Sequence, residues 1–396
     1  MDLFDKCHSF TRPSELKRIG IYPYFRHIGE SRGTEVEIDG RRLLMIGSNN
    51  YLGVTHDPRV IEAGEKAIRD FGSGCTGSRF LNGTLEMHEE LEARLASFLN
   101  KESCLVFTTG FQTNLGVISS LVGRGDAIFC DRENHASIMD GCRLSFGEII
   151  KFKHDDMEDL EEQLRRYQPL RRGGQLIIVD GVFSMLGDIV NLPSIVELAK
   201  RYDARLLVDD AHACGVLGAG GRGTAEHFGL ESDVDMVLGT FSKSFGSIGG
   251  FVAGEKSVIE YVKHHARAMI FSASLPPSAA ASTLAALDII QQEPERRQRL
   301  HENARFLRES FQQLGFDTGP SQTPVIPVIV GNQEACFRFW RELFDAGVFT
   351  NPVTTPAVPP GMDLLRTSVM ATHTQSQLEE VLDIVARIAR KLRLVA

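Results

Sequence analysis

From residue 87 onward, amphipathic helices alternate with short apolar strands, and this alternation constrains the fold more than any other feature. Apolar runs predict strands at residues 105–107, 127–130, 149–152, 176–179, 206–208 and 236–238. The intervening segments predict helices at residues 87–100, 111–121, 137–146, 157–167 and 194–202. Strands and helices that alternate in this way form a mostly parallel sheet with helices on both faces. The sequence therefore predicts an α/β fold.

Polar residues follow five of these strands, at the edge where parallel sheets bind their ligands. In chain order these are Thr109, Gly110 and Phe111; Asn134 and His135; Asp180 and Ser184; Asp209, Asp210 and His212; and Thr240, Ser242 and Lys243. The segment Thr109–Phe111 lies where a strand turns into a helix, so its free backbone N–H groups and the helix dipole would hold a phosphate. The set predicts one binding site, although His135 alone fits a helix N-terminus and Asp210 fits a capping acid.

Lys243 lies in the glycine-rich segment 239–250 (GTFSKSFGSIGG), with hydroxyl groups beside it and no acid within four residues. Such a lysine is poorly placed for a surface ion pair, and it suits an amine that forms a Schiff base next to a bound phosphate. A surface lysine on a flexible turn explains this segment equally well. The polar residues at the other strand ends favour the reactive amine.

Composition narrows the possible partners and compartments. The net charge of −9 argues against nucleic acid as a ligand. No apolar run is long enough to span a membrane, which leaves peripheral membrane contact open. Seven cysteines without a Cys-x-x-Cys pair predict free thiols in a reducing cytoplasm. No metal site is predicted.

Two glycine-rich segments match the dinucleotide-binding fingerprint by letter, at residues 72–77 (GSGCTG) and 218–223 (GAGGRG). The first follows a predicted helix instead of a strand, and no clear helix begins at the end of the second. Since the fingerprint needs a strand before it and a helix after it, both segments are predicted to be turns.

The chain is predicted to divide into an N-terminal arm and hairpin (1–57), a large domain (58–281) and a small C-terminal α/β domain (282–396). The hairpin turns at Asp39 and Gly40. In the C-terminal part the pattern predicts helices at 284–314, 334–346 and 375–392, and strands at 325–330 and 364–369.

Seven motifs give the sequence a specific resemblance to the α-oxoamine synthases among the fold-type I pyridoxal 5′-phosphate enzymes. They lie at residues 48–53 (SNNYLG), 77–84 (GSRFLNGT), 109–114 (TGFQTN), 134–137 (NHAS), 209–212 (DDAH), 239–244 (GTFSKS) and 365–374 (LRTSVMATHT). Members condense an amino acid with an acyl thioester and release CO₂. The resemblance implies a fold-type I transferase with pyridoxal phosphate as cofactor.

The resemblance also implies a role for each site residue. Lys243 would hold the cofactor and act as base, Asp209 would pair with the ring nitrogen, His135 would stack on the ring, and His212 with Ser184 would bind the ring hydroxyl. The phosphate would be held by Gly110, Phe111, Thr240 and Ser242. Arg366 would bind the substrate carboxylate, because its planar fork matches a carboxylate, and Asn49 would touch the substrate. In the implied homodimer with shared active sites, Ser272 would reach the neighbouring subunit's cofactor phosphate.

The motif versions at residues 78–84, 183–188 and 240–243 resemble those of members that use L-serine and palmitoyl-CoA. The resemblance therefore implies these substrates, with 3-oxosphinganine as the product for sphingolipid biosynthesis. Related members use glycine or alanine, with another acyl-CoA or an acyl carrier protein as acyl donor. A different class of function, a phosphate-binding module or a catalytically inactive partner subunit, would leave the combination of Lys243, Asp209 and His135 unexplained.

Overall fold

The structure is a computed structural model, and it describes residues 2–395. Contacts within the chain group these residues into two units. The larger unit comprises Asn49–Ser184 and Asp188–Leu300, and the smaller unit comprises residues up to Ser48, Met185–Gly187 and those from His301 onward. The predicted domain boundaries after residues 57 and 281 stay predictions.

The larger unit is built on a seven-stranded sheet, counted over the described residues. In spatial order its strands are Ser103–Phe107, Gly250–Gly254, Met236–Thr240, Arg205–Asp209, Gln175–Asp180, Ala127–Asp131 and Glu148–Phe152. All six predicted strands of this sheet are confirmed. The prediction missed Gly250–Gly254, which pairs antiparallel with both of its neighbours. The other strand pairs are parallel.

Helices and short helical turns make up much of the rest of the larger unit. Those described are Val54–His56, Pro58–Phe71, Glu86–Phe98, Gly110–Leu121, Ala136–Leu144, Met157–Tyr167, Gln168–Leu170, Leu192–Tyr202, Thr224–Phe228, Lys256–His265, Arg267–Ile270 and Pro277–Gln292.

The sheet is buried on both faces because successive residues of its strands enter two different hydrophobic clusters. Ile177 and Val179 belong to one cluster, whereas Leu176 and Ile178 belong to the other. Side chains alternate between the faces of a strand, so each cluster fills one side of the sheet. This burial explains why the strands are continuous apolar runs that end in polar residues.

The smaller unit contains two further sheets. Ile28–Ser31, Glu35–Ile38, Arg41–Met45 and Val348–Phe349 form one, and Val325–Ile329, Leu364–Ser368 and Asn351–Val353 form the other. The predicted hairpin is confirmed, since Ile38 pairs with Arg41 across Asp39 and Gly40. The smaller unit also contains the helices Asp5–His8, Arg12–Arg18, Gln333–Asp345 and Gln375–Lys391.

The single long helix predicted at 284–314 is wrong. The structure has two helices there, Pro277–Gln292 and Pro294–Gln313. Pro294 lacks a backbone N–H and disfavours helical geometry at the residue before it, and Glu293 has left the helical region with φ −120° and ψ 65°. The second helix contains the boundary between the units at residue 300. Over the described residues, no helix combines the length and the apolar character needed to cross a membrane.

Candidate active site

A cavity of about 380 Å³ lies at the carboxyl edge of the seven-stranded sheet, within the larger unit. Its wall includes every predicted site residue that follows a strand of this sheet, namely Gly110, Phe111, His135, Ser184, Asp209, His212, Thr240, Ser242 and Lys243. Their convergence follows from the register, in which Asp180 pairs with Asp209 and Thr240 pairs with Gly250. Asn49, Ser272 and Arg366 are not among the residues that line this cavity.

Asp209 presents a fixed carboxylate to the cavity. The residue is only 3% exposed, and it ends the strand Arg205–Asp209. Its Oδ2 accepts a hydrogen bond from Asn114 Nδ2 at 2.7 Å, and its Oδ1 accepts one from the Ala211 backbone N–H at 3.0 Å. These two hydrogen bonds fix the orientation of the carboxyl group at the cavity wall.

Asn114 is a residue of this site that the sequence analysis did not assign. It lies one helical turn after Gly110 in the helix Gly110–Leu121, and its Nδ2 also donates to Ser137 Oγ at 2.9 Å. The signal was present in the sequence, because residues four apart share a face of a helix. Asn114 thus connects the carboxylate of Asp209 to the helix that follows His135.

His135 places its ring at the cavity wall in a defined orientation. Its backbone N–H donates to Asp180 Oδ2 at 2.7 Å, and its Nδ1 lies 2.7 Å from Ser137 Oγ. Its pKa is lowered, chiefly because the surrounding protein removes water from the ring and also because of the positive charge of Lys243, while Asp209 opposes these effects. The lower pKa favours a neutral, flat ring that can stack on another flat group.

His212 forms a hydrogen bond with Tyr51, a second residue that the sequence analysis did not assign. Both residues are buried, and the Tyr51 hydroxyl lies 2.7 Å from His212 Nδ1. The same hydroxyl donates to Asn49 Oδ1 at 3.3 Å. The ring of His212 is therefore fixed through Nδ1. Asn49 touches the residue that orients His212.

Lys243 lies in a tight turn after the strand Met236–Thr240, as the glycine-rich sequence predicts. The Gly246 N–H donates to the Lys243 carbonyl at 2.9 Å, with Gly246 at φ 62°, where glycine is favoured. Thr240 Oγ1 lies 3.0 Å from Ser242 Oγ and donates to the Gly249 carbonyl at 3.0 Å. The turn thus brings the lysine and two hydroxyl groups to one wall of the cavity.

The N-terminus of the helix Gly110–Leu121 faces the same wall and leaves room for an anion. Thr109 caps the helix by accepting a hydrogen bond from the Gln112 N–H at 3.1 Å. A Cβ atom at Gly110 would lie 2.8 Å from Thr240 Oγ1 and 2.9 Å from Thr240 Cβ. Only glycine brings the backbone this close to the hydroxyl. Free N–H groups beside hydroxyl groups suit a phosphate.

The donor set of this cavity fits pyridoxal phosphate in each of its chemical parts. The amine of Lys243 suits the aldehyde, the carboxylate of Asp209 suits a protonated ring nitrogen, and the helix N-terminus at Gly110 suits the phosphate. The neutral ring of His135 suits the flat face of the pyridine. The roles of the individual residues stay predictions.

Asp210 turns away from the cavity, despite its place beside Asp209. It is fully buried, and its carboxyl accepts hydrogen bonds from the Thr224 backbone N–H at 2.9 Å and from Thr224 Oγ1 at 2.6 Å. Burial raises the pKa of Asp210 to about 7. This acid binds the start of the helix Thr224–Phe228.

The remaining predicted residues lie outside the cavity wall. Ser272 Oγ accepts a hydrogen bond from Gln112 Nε2 at 3.1 Å within the same chain. Its predicted contact with a neighbouring subunit stays a prediction. Arg366 is 6% exposed and lies in the strand Leu364–Ser368 of the smaller unit, and its role towards a substrate carboxylate also stays a prediction.

Comparison with known proteins gives the family of this chain. Residues 41–385 match the family model of the class I and II aminotransferases. Serine palmitoyltransferase of Sphingobacterium spiritivorum is 50% identical over 389 residues, which cover 98% of this chain and 97% of the relative. The 8-amino-7-oxononanoate synthase of Thermoanaerobacter pseudethanolicus is 43% identical over 381 residues, or 96% of each chain.

A solved structure of SPT with a PLP internal aldimine superimposes with a TM-score of 0.97 at 38% identity, with full coverage of both chains. The predicted fold class and cofactor are therefore confirmed. The chain belongs to the class I and II aminotransferase family, and within it to the α-oxoamine synthases, as a pyridoxal-phosphate-dependent acyltransferase similar to bacterial serine palmitoyltransferase.

Proposed function

We propose that this enzyme condenses L-serine with palmitoyl-CoA, releasing CO₂ and CoA and forming 3-oxosphinganine for sphingolipid synthesis. The observation that carries the proposal is the 50% identity to a serine palmitoyltransferase over nearly the whole of both chains. We also propose the predicted homodimer, with Ser272 directed at the partner's cofactor phosphate.

Bound pyridoxal phosphate supplies an electron-withdrawing ring that stabilises negative charge on the α-carbon of the amino acid. Asp209 would face the ring nitrogen, with its carboxyl oxygens held in place by Asn114 and the Ala211 N–H. His135 would cover one face of the ring, and its lowered pKa favours an uncharged side chain there.

Lys243 has two tasks in this proposal. Its Nζ would hold the cofactor at the aldehyde carbon, and it would also accept the α-proton of serine. Ser242 and Thr240, with the helix N-terminus at Gly110, would hold the phosphate. His212, oriented by Tyr51 at 2.7 Å, would bind the ring hydroxyl with Ser184.

Arg366 and Asn49 complete the substrate site in this proposal. A guanidinium binds a carboxylate through two parallel hydrogen bonds, so Arg366 would grip the serine carboxylate until CO₂ leaves. Asn49, whose Oδ1 accepts the hydrogen bond of Tyr51, would contact the substrate from the side of His212.

The main alternative is a related synthase that uses glycine or alanine, with another acyl-CoA or an acyl carrier protein as donor. The 43% identity to an 8-amino-7-oxononanoate synthase over 96% of each chain supports this second candidate. The two candidates differ in whether the site hydrogen-bonds the serine hydroxyl. A site that does so discriminates strongly against alanine, because its polar partner is then left unpaired.

A competition assay separates these candidates. Equal concentrations of serine, glycine and alanine are supplied with palmitoyl-CoA, and the products are resolved by mass. We expect 3-oxosphinganine to dominate, with Lys243→Ala as the inactive control. A dominant glycine or alanine product would refute the choice of serine, and turnover only with an acyl carrier protein would refute palmitoyl-CoA. A wild-type protein that condenses none of the three amino acids with palmitoyl-CoA, with another acyl-CoA or with an acyl carrier protein would favour a non-catalytic function.

A further inference from the structure

His154 lies between two buried aspartates of the larger unit, outside the cavity wall. Its Nδ1 is 3.2 Å from Asp131 Oδ1, and its Nε2 is 3.0 Å from Asp188 Oδ2. The ring also packs edge-on against Phe183, with centroids 4.4 Å apart and planes at 84°. Both ring nitrogens are thus engaged, each by a different acid.

Asp131 belongs to the loop that carries His135. It ends the strand Ala127–Asp131, and its Oδ1 also accepts the Glu133 backbone N–H at 2.8 Å. Its Oδ2 accepts the Asp155 N–H at 2.8 Å. The turn that leads from the strand to His135 is therefore built around this carboxylate.

Asp188 closes the loop that carries Ser184. Its carbonyl accepts a hydrogen bond from the Phe183 N–H at 3.0 Å, and Val182 pairs with Ile189 on either side. Its Oδ1 is buried and has no hydrogen-bond partner within the described residues. The bond to His154 is therefore the contact through which the carboxylate of Asp188 is satisfied.

The electrostatics favour a charged ring at this position. Burial opposes the charge of His154, but the hydrogen bonds and charges of Asp131 and Asp188 outweigh it and raise the pKa to about 10. Asp131 is 0% exposed and Asp188 is 7% exposed. The raised pKa favours an imidazolium that makes a charge-assisted hydrogen bond on each side, which is stronger than a neutral one.

We propose that His154 is a positioning residue for the active site. Its ring ties the turn before His135 to the loop of Ser184, so that both side chains face one cavity. This inference rests on the proposed function only in assigning His135 and Ser184 to the cofactor. His154 itself touches neither cofactor nor substrate in this account.

The test replaces His154 with asparagine, which cannot carry the charge or bridge both acids. Hydrogen exchange is measured by mass spectrometry on the protein with and without pyridoxal phosphate, and cofactor affinity is measured by titration. We expect exchange of peptides covering 131–135 and 183–188 to rise on the order of tenfold. The cofactor dissociation constant should rise by a similar factor, with little change in the KM for serine at saturating cofactor.

Two further variants make the test specific. His227 makes a similar edge-on contact with Phe228, at 4.8 Å and 81°. It lies in the helix Thr224–Phe228, which includes neither loop, so His227→Asn should change neither loop. His154→Arg keeps a cation with donors on two sides and should restore part of the cofactor affinity.

Unchanged exchange in the two loops of His154→Asn would overturn the proposal, as would a uniform rise over the whole chain, which indicates lost stability alone. If His154→Asn does not fold, the test rests on His154→Arg. Normal hydrogen exchange and normal cofactor affinity in that variant would support the proposal. An equal rise in exchange in both loops and in the rest of the chain would refute it. Hydrogen exchange and cofactor affinity do not depend on which amino acid condenses, so these two readouts stand if the choice of serine fails.

Discussion

Replacing Asp209 by asparagine changes the charge that faces the cavity while keeping the shape of the side chain. The carboxylate accepts hydrogen bonds from Asn114 Nδ2 at 2.7 Å and from the Ala211 N–H at 3.0 Å. An amide presents one acceptor and one donor, so in either orientation its NH₂ group faces a donor. A buried donor without an acceptor costs about 1–3 kcal/mol.

A rearrangement of Asn114 would reduce the cost of this unpaired donor in Asp209→Asn. Asn114 can turn its own amide, because its Oδ1 has no hydrogen-bond partner within the described residues and the hydroxyl of Ser137 both donates and accepts. The free energy of unfolding should therefore fall by about 1 kcal/mol, the low end of the range for an unpaired buried donor. Small domains have about 5–15 kcal/mol of stability, so we expect the variant to fold.

Turnover should suffer far more than stability. An amide cannot counter the positive charge of a protonated ring nitrogen, and the loss of one preorganised electrostatic partner costs on the order of 100-fold in rate. The assay follows CoA release from palmitoyl-CoA and serine, with thermal unfolding and cofactor content measured in parallel. Cofactor binding should persist, because Lys243 and the helix N-terminus at Gly110 are unchanged.

Asp210→Asn is the matched control for this experiment. Asp210 is the adjacent acid, but it binds Thr224 and does not line the cavity, so its amide variant should retain turnover. Near-normal turnover of Asp209→Asn would refute the reasoning, and a large loss in Asp210→Asn instead would transfer the role to that residue.

Two further substitutions test the phosphate cradle and the substrate carboxylate. Gly110→Ala places a Cβ 2.8 Å from Thr240 Oγ1, so cofactor affinity should fall on the order of tenfold by titration. Gly74→Ala is the control, because a Cβ there meets nothing within 4 Å, and it should bind the cofactor normally. Equal cofactor affinities in the two variants would contradict the assignment of the phosphate to Gly110. Arg366→Lys keeps the charge but loses the two-point grip, so the KM for serine should rise on the order of tenfold while cofactor affinity is retained. An unchanged KM would exclude Arg366 as the carboxylate ligand.

The convergence of the site could be predicted from the sequence because parallel strands carry their carboxyl ends to one edge. Once Gln175–Asp180 and Arg205–Asp209 are recognised as neighbouring strands, Asp180 and Asp209 must come close together. The glycine-rich turn around Lys243 was predicted for a similar reason, since its small residues are a local signal. Each of these features depends on residues that are near in sequence or related by sheet register.

The features that sequence analysis missed depend on contacts between distant residues. Tyr51 meets His212 across 161 positions, and nothing in the pattern around Tyr51 indicates a partner. Asp188 contacts His154 although the two residues are 34 positions apart. Both lie in loops, and hydrophobic periodicity does not predict the conformation of a loop. The strand Gly250–Gly254 was missed because the glycine at each of its ends weakens the strand signal.

The two acids at the carboxyl edge of the sheet divide the negative charge of the site unequally. Asp180 and Asp209 pair in register, and the pKa of Asp180 is raised well above its ordinary value, first by burial and then by the charge of Asp209. Asp180 accepts one hydrogen bond, from the His135 N–H, whereas Asp209 accepts two. Because like charges disfavour double ionisation, the raised pKa favours the protonated form of Asp180. In the proposed function Asp180 would then place His135, and Asp209 would face the ring nitrogen.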